Sequence, residues 1–104
     1  MAVDEIFRAL GDPHRLEMVQ RLTKGAPCTI SSLSSDLGIS RQGARKHLQV
    51  LVSAKLIKLE PKGRDVNVLM DRAALDQARS YIEDLERQWD RRLDALRRFL
   101  EDGP

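Results

Sequence analysis

The chain has 104 residues, 41% apolar but only 4% aromatic, with six glycines and four prolines; that suffices for one compact core and favours packed helices over a sandwich or barrel. Its single cysteine, Cys28, excludes an internal disulfide framework and an all-cysteine zinc site, and two histidines, His14 and His47, leave little material for a metal cage or a catalytic triad. The net charge of +2 hides a concentration of eight Lys/Arg against three Asp/Glu in residues 40–72, between two net-negative flanks, the electrostatic footprint of a polyanion binder.

Val3, Ile6, Phe7 and Leu10 follow an i, i+3, i+4, i+7 spacing, which predicts a first helix over about 3–10 that closes at Gly11. Asp12-Pro13 reads as an N-cap followed by proline at the first helical position. The second helix starts there, turns Leu16, Val19 and Leu22 inward, and closes at Lys24-Gly25-Ala26-Pro27. Thr29 caps a third helix carrying Ile30, Leu33 and Leu37, which Gly38 ends after about two turns. Ser40 caps a fourth, over 40–52, with Ala44, Leu48 and Leu51 on one face and Arg41, Gln42, Arg45, Lys46 and Gln49 on the others. The period then drops to two. Ile57 and Leu59, then Val66, Val68 and Met70, alternate with polar neighbours around a turn at 61–65 that carries Lys62 and Arg64, a hairpin with a basic tip. From 73 to 100 there is neither Gly nor Pro, and Ile82, Leu85, Trp89, Leu93, Leu96 and Leu100 recur at helical pitch. No apolar run approaches the roughly 18 to 20 residues of a membrane span, and no signal-peptide core follows Met1, so a cytoplasmic protein is expected.

The third and fourth predicted helices meet the requirements of a helix-turn-helix: inward Leu33 and Leu37, small Ser34, Gly38 in the turn, then inward Ala44 and Leu48. The hairpin that follows stands where a wing clasps backbone phosphates while the fourth helix enters the major groove. The runs Ala9-Leu10-Gly11-Asp12-Pro13-His14-Arg15-Leu16 and Ser40-Arg41-Gln42-Gly43-Ala44-Arg45-Lys46-His47-Leu48-Gln49-Val50-Leu51, with the Gly63-Arg64 wing, resemble the ArsR (SmtB-like) family of bacterial winged-helix transcriptional regulators. The likeness covers residues from about 5 to about 100. It implies a mainly α fold with a small β-hairpin, ordered α-α-α-α-β-β-α, in which residues 1–104 form one domain. It also implies a homodimer paired through first and last helices, an inverted-repeat operator, and repression by blocking a promoter. Metal-sensing members carry Cys-x-Cys where this chain has Thr29-Ile30-Ser31, and the last helix has no histidine. The resemblance is therefore to the metal-independent branch, with no metal or other cofactor expected and the inducer unidentified.

Arg41, Gln42 and Arg45 start the fourth helix, where Arg suits guanine and Gln suits adenine through paired hydrogen bonds. Ser40 is a cap whose hydroxyl also suits a phosphate, and Lys46, Lys62 and Arg64 suit phosphate clamps. His47, beside inward Leu48, is assigned packing or a phosphate contact. The stripe on the last helix exceeds what so small a domain covers, so Leu85, Trp89, Leu93 and Leu96, with Ile6, are assigned to a dimer interface. Cys28 reads as an ordinary small residue before a cap rather than a redox thiol. No nucleophile–base arrangement, phosphate-cradling loop or carboxylate pair stands out, so no enzyme is expected. The alternative is a winged helix that contacts only proteins, against which stand the cations on helix and wing.

Overall fold

The computed structural model describes residues 2–24 and 28–103; the expected closure of the second helix at residues 25–27 lies outside them. In chain order the elements are α1 (Val3–Leu10), α2 (Pro13–Leu22), β1 (Cys28–Thr29), α3 (Ile30–Ser34), α4 (Arg41–Ser53), β2 (Ile57–Lys62), β3 (Asp65–Met70) and α5 (Arg72–Asp102). The fold is the expected mainly helical winged helix-turn-helix, with one addition. Cys28 pairs with Val68 and Thr29 with Asn67, so β1 joins the hairpin as a third antiparallel strand in the order β1-β3-β2. Two residues carry no readable alternation, which hides such a strand from sequence.

Local chemistry sets the boundaries. The Asp12 carboxylate accepts the backbone N–H groups of His14 and Arg15, with Pro13 at the first position of α2. Thr29 and Ser32 form a reciprocal capping box on α3, and Ser40 accepts from the Gly43 N–H on α4. The far end of α4 closes without glycine. Lys55 takes φ 59°, its N–H donating to Val52 and that of Leu56 to Leu51, the two bonds of a Schellman closure. The wing is tighter than expected. Lys62 pairs with Asp65, leaving Gly63-Arg64 as a two-residue turn with Gly63 at φ 62°, the backbone sign that glycine supplies at the first position of a primed hairpin turn.

The core gathers Ile6 and Ala9 of α1, Met18, Leu33, Ala44, Leu48 and Leu51, then Ala54, Leu56, Ile57 and Val68, and closes on Ala74 and Ala78 of α5. Three expectations need correction. Leu16 is 43% exposed while Met18 is fully enclosed, so the inward face of α2 is rotated from the one read off its leucines. The third helix stops at Ser34 rather than at Gly38, because the chain leaves helical geometry at Ser35 and turns through positive φ at Asp36 and Gly38. Ile6, assigned to a dimer interface, is 0% exposed within one chain and has no surface left to offer a partner.

Beyond Ala78 every described residue of α5 is exposed. Tyr81 still meets Phe7 of α1, with ring centroids 5.9 Å apart, and the helix then runs on for about 30 Å at 1.5 Å per residue, giving the chain extents of 70 × 25 × 24 Å. No helix of the described residues is long and apolar enough to cross a membrane.

Candidate nucleic-acid interface

Burial of Ala44, Leu48 and Leu51 fixes the rotation of α4. That phase turns Arg41, Gln42, Arg45, Lys46 and Gln49 outward, and they line one open cleft along the helix. Arg41 and Arg45 also border a second cleft, shared with Ile30, Ser31, Ser34 and Ser35 around α3, so two guanidinium groups face a row of hydroxyls. Lys62 ends β2 and Arg64 sits in the turn, both exposed. None of Arg41, Arg45, Lys46, Lys62 and Arg64 forms an ion pair with another described residue. Their charge is not spent inside the molecule and stays available to a polyanion.

Of the eight nominated residues the structure leaves seven exposed, on α4, its cap and the wing, gathers Arg41, Gln42, Arg45 and Lys46 along one cleft, and turns the eighth inward. His47 turns inward from α4, with its side chain 20% exposed. Its Nδ1 lies 2.9 Å from Nη1 of Arg15, its Nε2 lies 3.9 Å from the Asp12 carboxylate, and its ring centroid is 5.5 Å from that of His14. A ring held this way has its polar edges directed at α2, which corrects the phosphate role and leaves the packing role. Partial burial works to raise the Asp12 carboxyl. The backbone N–H groups of Arg15 and His14 outweigh it, aided by the charge of Arg15, and hold it below the usual carboxylate value.

Sequence reasoning names no metal ligands, yet Asp12, His14 and His47 each offer a donor atom within 4.8 Å of the others. The chemistry of the set opposes a cation. Arg15 is always a donor, so the His47 nitrogen it meets is an acceptor and the neutral ring carries its proton on Nε2, the atom facing Asp12. A metal at Nε2 would displace that proton to Nδ1 and set it donor-to-donor against the guanidinium.

A helical core carrying a basic, outward-turned helix after a helix-turn-helix, followed by a basic hairpin, defines a winged helix-turn-helix DNA-binding protein. Residues 10–60 match the model of a helix-turn-helix domain family. The chain is 33% identical over 98 residues, 94% of its own length and 88% of the relative's, to the HTH-type transcriptional regulator Rv2034 of Mycobacterium tuberculosis. An ArsR-like transcriptional regulator from Rhodococcus sp. RHA1 is 31% identical and superposes with TM-score 0.87, over 98% of this chain and 93% of that one. The homodimeric winged helix-turn-helix domain of Mb0332 from Mycobacterium bovis, at 19% identity, shares the fold with TM-score 0.61 over 89% of this chain and 82% of its own. The chain belongs to the ArsR family and is a DNA-binding transcriptional regulator.

Proposed function

We propose that the protein is a homodimeric repressor that binds an inverted-repeat operator, with α4 in the major groove and the wing on the backbone. The observation that carries this reading is the outward face of α4, whose cations and amides lie together with no side-chain partner among the described residues. Arg41, Gln42 and Arg45 read base edges, Ser40 and Lys46 meet phosphates from the helix, and Lys62 and Arg64 meet them from the wing. Residues 1–104 act as one winged-helix domain in the cytoplasm. It does so without metal, cofactor or catalysis, as befits a chain whose metal-sensor positions hold Thr29, Ile30 and Ser31.

The distal half of α5 supports self-association in an antiparallel sense. Residues 83–90 carry Glu83, Asp84, Glu86 and Asp90 against Arg87, whereas 91–98 carry Arg91, Arg92, Arg97 and Arg98 against Asp94. Two such helices related by a two-fold axis near residue 91 set acid against base. The same axis places Ile82 opposite Leu100, Leu85 opposite Leu96 and Trp89 opposite Leu93. A parallel pair would oppose like charges.

Hydroxyl-radical footprinting tests the dimeric reading, using a duplex selected in vitro with the wild-type protein. Two protected half-sites centred about 10 base pairs apart are expected. A single half-site, or no protection at any protein concentration, would contradict it, and the latter would favour a protein-contact module.

A further inference from the structure

The Arg15 side chain bridges α2 to both α1 and α4. Its Nε donates to the Ala9 carbonyl at 2.7 Å and its Nη2 to the Arg8 carbonyl at 3.2 Å, both at the end of α1. Its Nη1 donates to Nδ1 of His47 at 2.9 Å. One guanidinium rooted on α2 thus ties α1 to the middle of α4. His47 follows Arg45 and Lys46 directly and precedes the inward Leu48. His47 therefore shares a helical turn with Arg45 and Lys46.

We propose that Arg15 and His47 are positioning residues for DNA binding. They set the height of the recognition helix through a bond that exists only while His47 is uncharged. Protonated His47 carries hydrogen on both ring nitrogens and has no acceptor left for Arg15. The charged and titratable groups around the ring are Asp12, which caps α2, and His14 and Arg15 in its first turn. On the adjoining side Glu5 and Arg8 of α1 line a cleft with Lys46 and Gln49. Asp12 attracts an imidazolium, while Arg15 and a protonated His14 oppose it. Breaking the tie lowers DNA affinity even though the protein gains positive charge, and that sign separates it from a phosphate contact, which acid strengthens. The inference rests on α4 being the helix that reads DNA.

The test measures the dissociation constant for the selected duplex from pH 7.5 to 5.5 at fixed ionic strength. It is made in a His14→Gln background, so that His47 is the one imidazole in the chain. Affinity should fall about tenfold between pH 7.5 and pH 5.5, the order expected for losing one hydrogen bond to a charged group. His47→Asn, whose amide oxygen stands where Nδ1 stood, should bind like the background at pH 7.5 and lose the acid response. His47→Gln, which puts its oxygen at the Nε2 position, and Arg15→Met should bind about tenfold more weakly at every pH. Thermal unfolding of each variant, read beside its affinity, shows whether loss of fold accounts for loss of binding. Affinity that rises on acidification overturns the proposal, as does His47→Asn no better than His47→Gln. If Arg45→Ala leaves discrimination between operator and scrambled duplex intact, the reading of α4 itself fails; if discrimination is lost while the His47 series is flat, only the positioning role fails.

Discussion

Replacing Trp89 by alanine should dissociate the protein. Within one chain this side chain keeps 59% of its surface exposed, about 150 Å² of the roughly 250 Å² a fully enclosed tryptophan removes from water. At about 25 cal/mol per Å² that surface is worth about 3.7 kcal/mol when covered, and a two-fold dimer covers it twice. Alanine retains a small part of the area and the neighbours relax into the space, so a net loss of about 3 to 7 kcal/mol is expected. That raises the dimer dissociation constant by about 10² to 10⁵. The substitution should leave the monomer fold intact, because Trp89 projects beyond the core that ends at Ala78. Sedimentation velocity over nanomolar to micromolar concentrations reads the mass, and circular dichroism reads the helix content. Trp89→Ala with wild-type mass at every concentration would refute the argument that this stripe holds two chains together, and a wild-type monomer at micromolar concentration would refute the dimer itself.

Asp12→Asn keeps an N-cap acceptor and removes a carboxylate whose pKa is held below its usual value. A depressed carboxylate contributes stability that is present above about pH 4 and lost as pH falls through its folded-state value. The denaturation midpoint of wild type should therefore exceed that of Asp12→Asn at pH 7 and converge on it below about pH 4; a gap unchanged down to pH 2 would remove the charge from the account. Arg64→Ala should weaken selected and scrambled duplexes alike and make the salt slope shallower by about one contact per subunit, against a wild-type loss of about 10³ to 10⁵ in affinity between 50 and 200 mM salt for six to ten phosphates. A change in sequence preference with an unaltered slope would move Arg64 from backbone to base.

Most of the helical frame was legible because each boundary has a local cause. Asp12-Pro13, Thr29 and Ser40 announce helix starts, and the period change after Leu51 announces the hairpin. The face of α4 was legible for the same reason, since burying Ala44 and Leu48 leaves Arg41, Gln42 and Arg45 no direction but outward. Elements set by tertiary context were not. β1 is two residues long and exists through its pairing with β3. α2 buries Met18 in place of Leu16, a choice between apolar side chains that spacing alone does not make. The Lys55 closure of α4 uses a left-handed residue where a glycine would have signalled it. Ile6 shares the apolar stripe of α1 with residues that stay half-exposed, and its burial depends on how α1 lies against α5. The largest miss is His47. The residues before it in sequence, Arg45 and Lys46, are outward-turned cations, and nothing local reveals that Asp12, His14 and Arg15, more than 30 residues earlier, wait on the other side.

The central claim is that α4 reads sequence, and titrating Arg45→Ala against the selected duplex and a scrambled one at several salt concentrations tests it most directly. Arg45 is exposed between Ala44 and the cleft it shares with Arg41 and Gln42, so its loss should cost the selected duplex about 1 to 3 kcal/mol, roughly 5- to 150-fold in affinity. The scrambled duplex should weaken far less, collapsing the ratio between the two at every salt concentration. An equal loss for both duplexes, with the ratio preserved, would show that α4 grips the backbone and that sequence is read elsewhere.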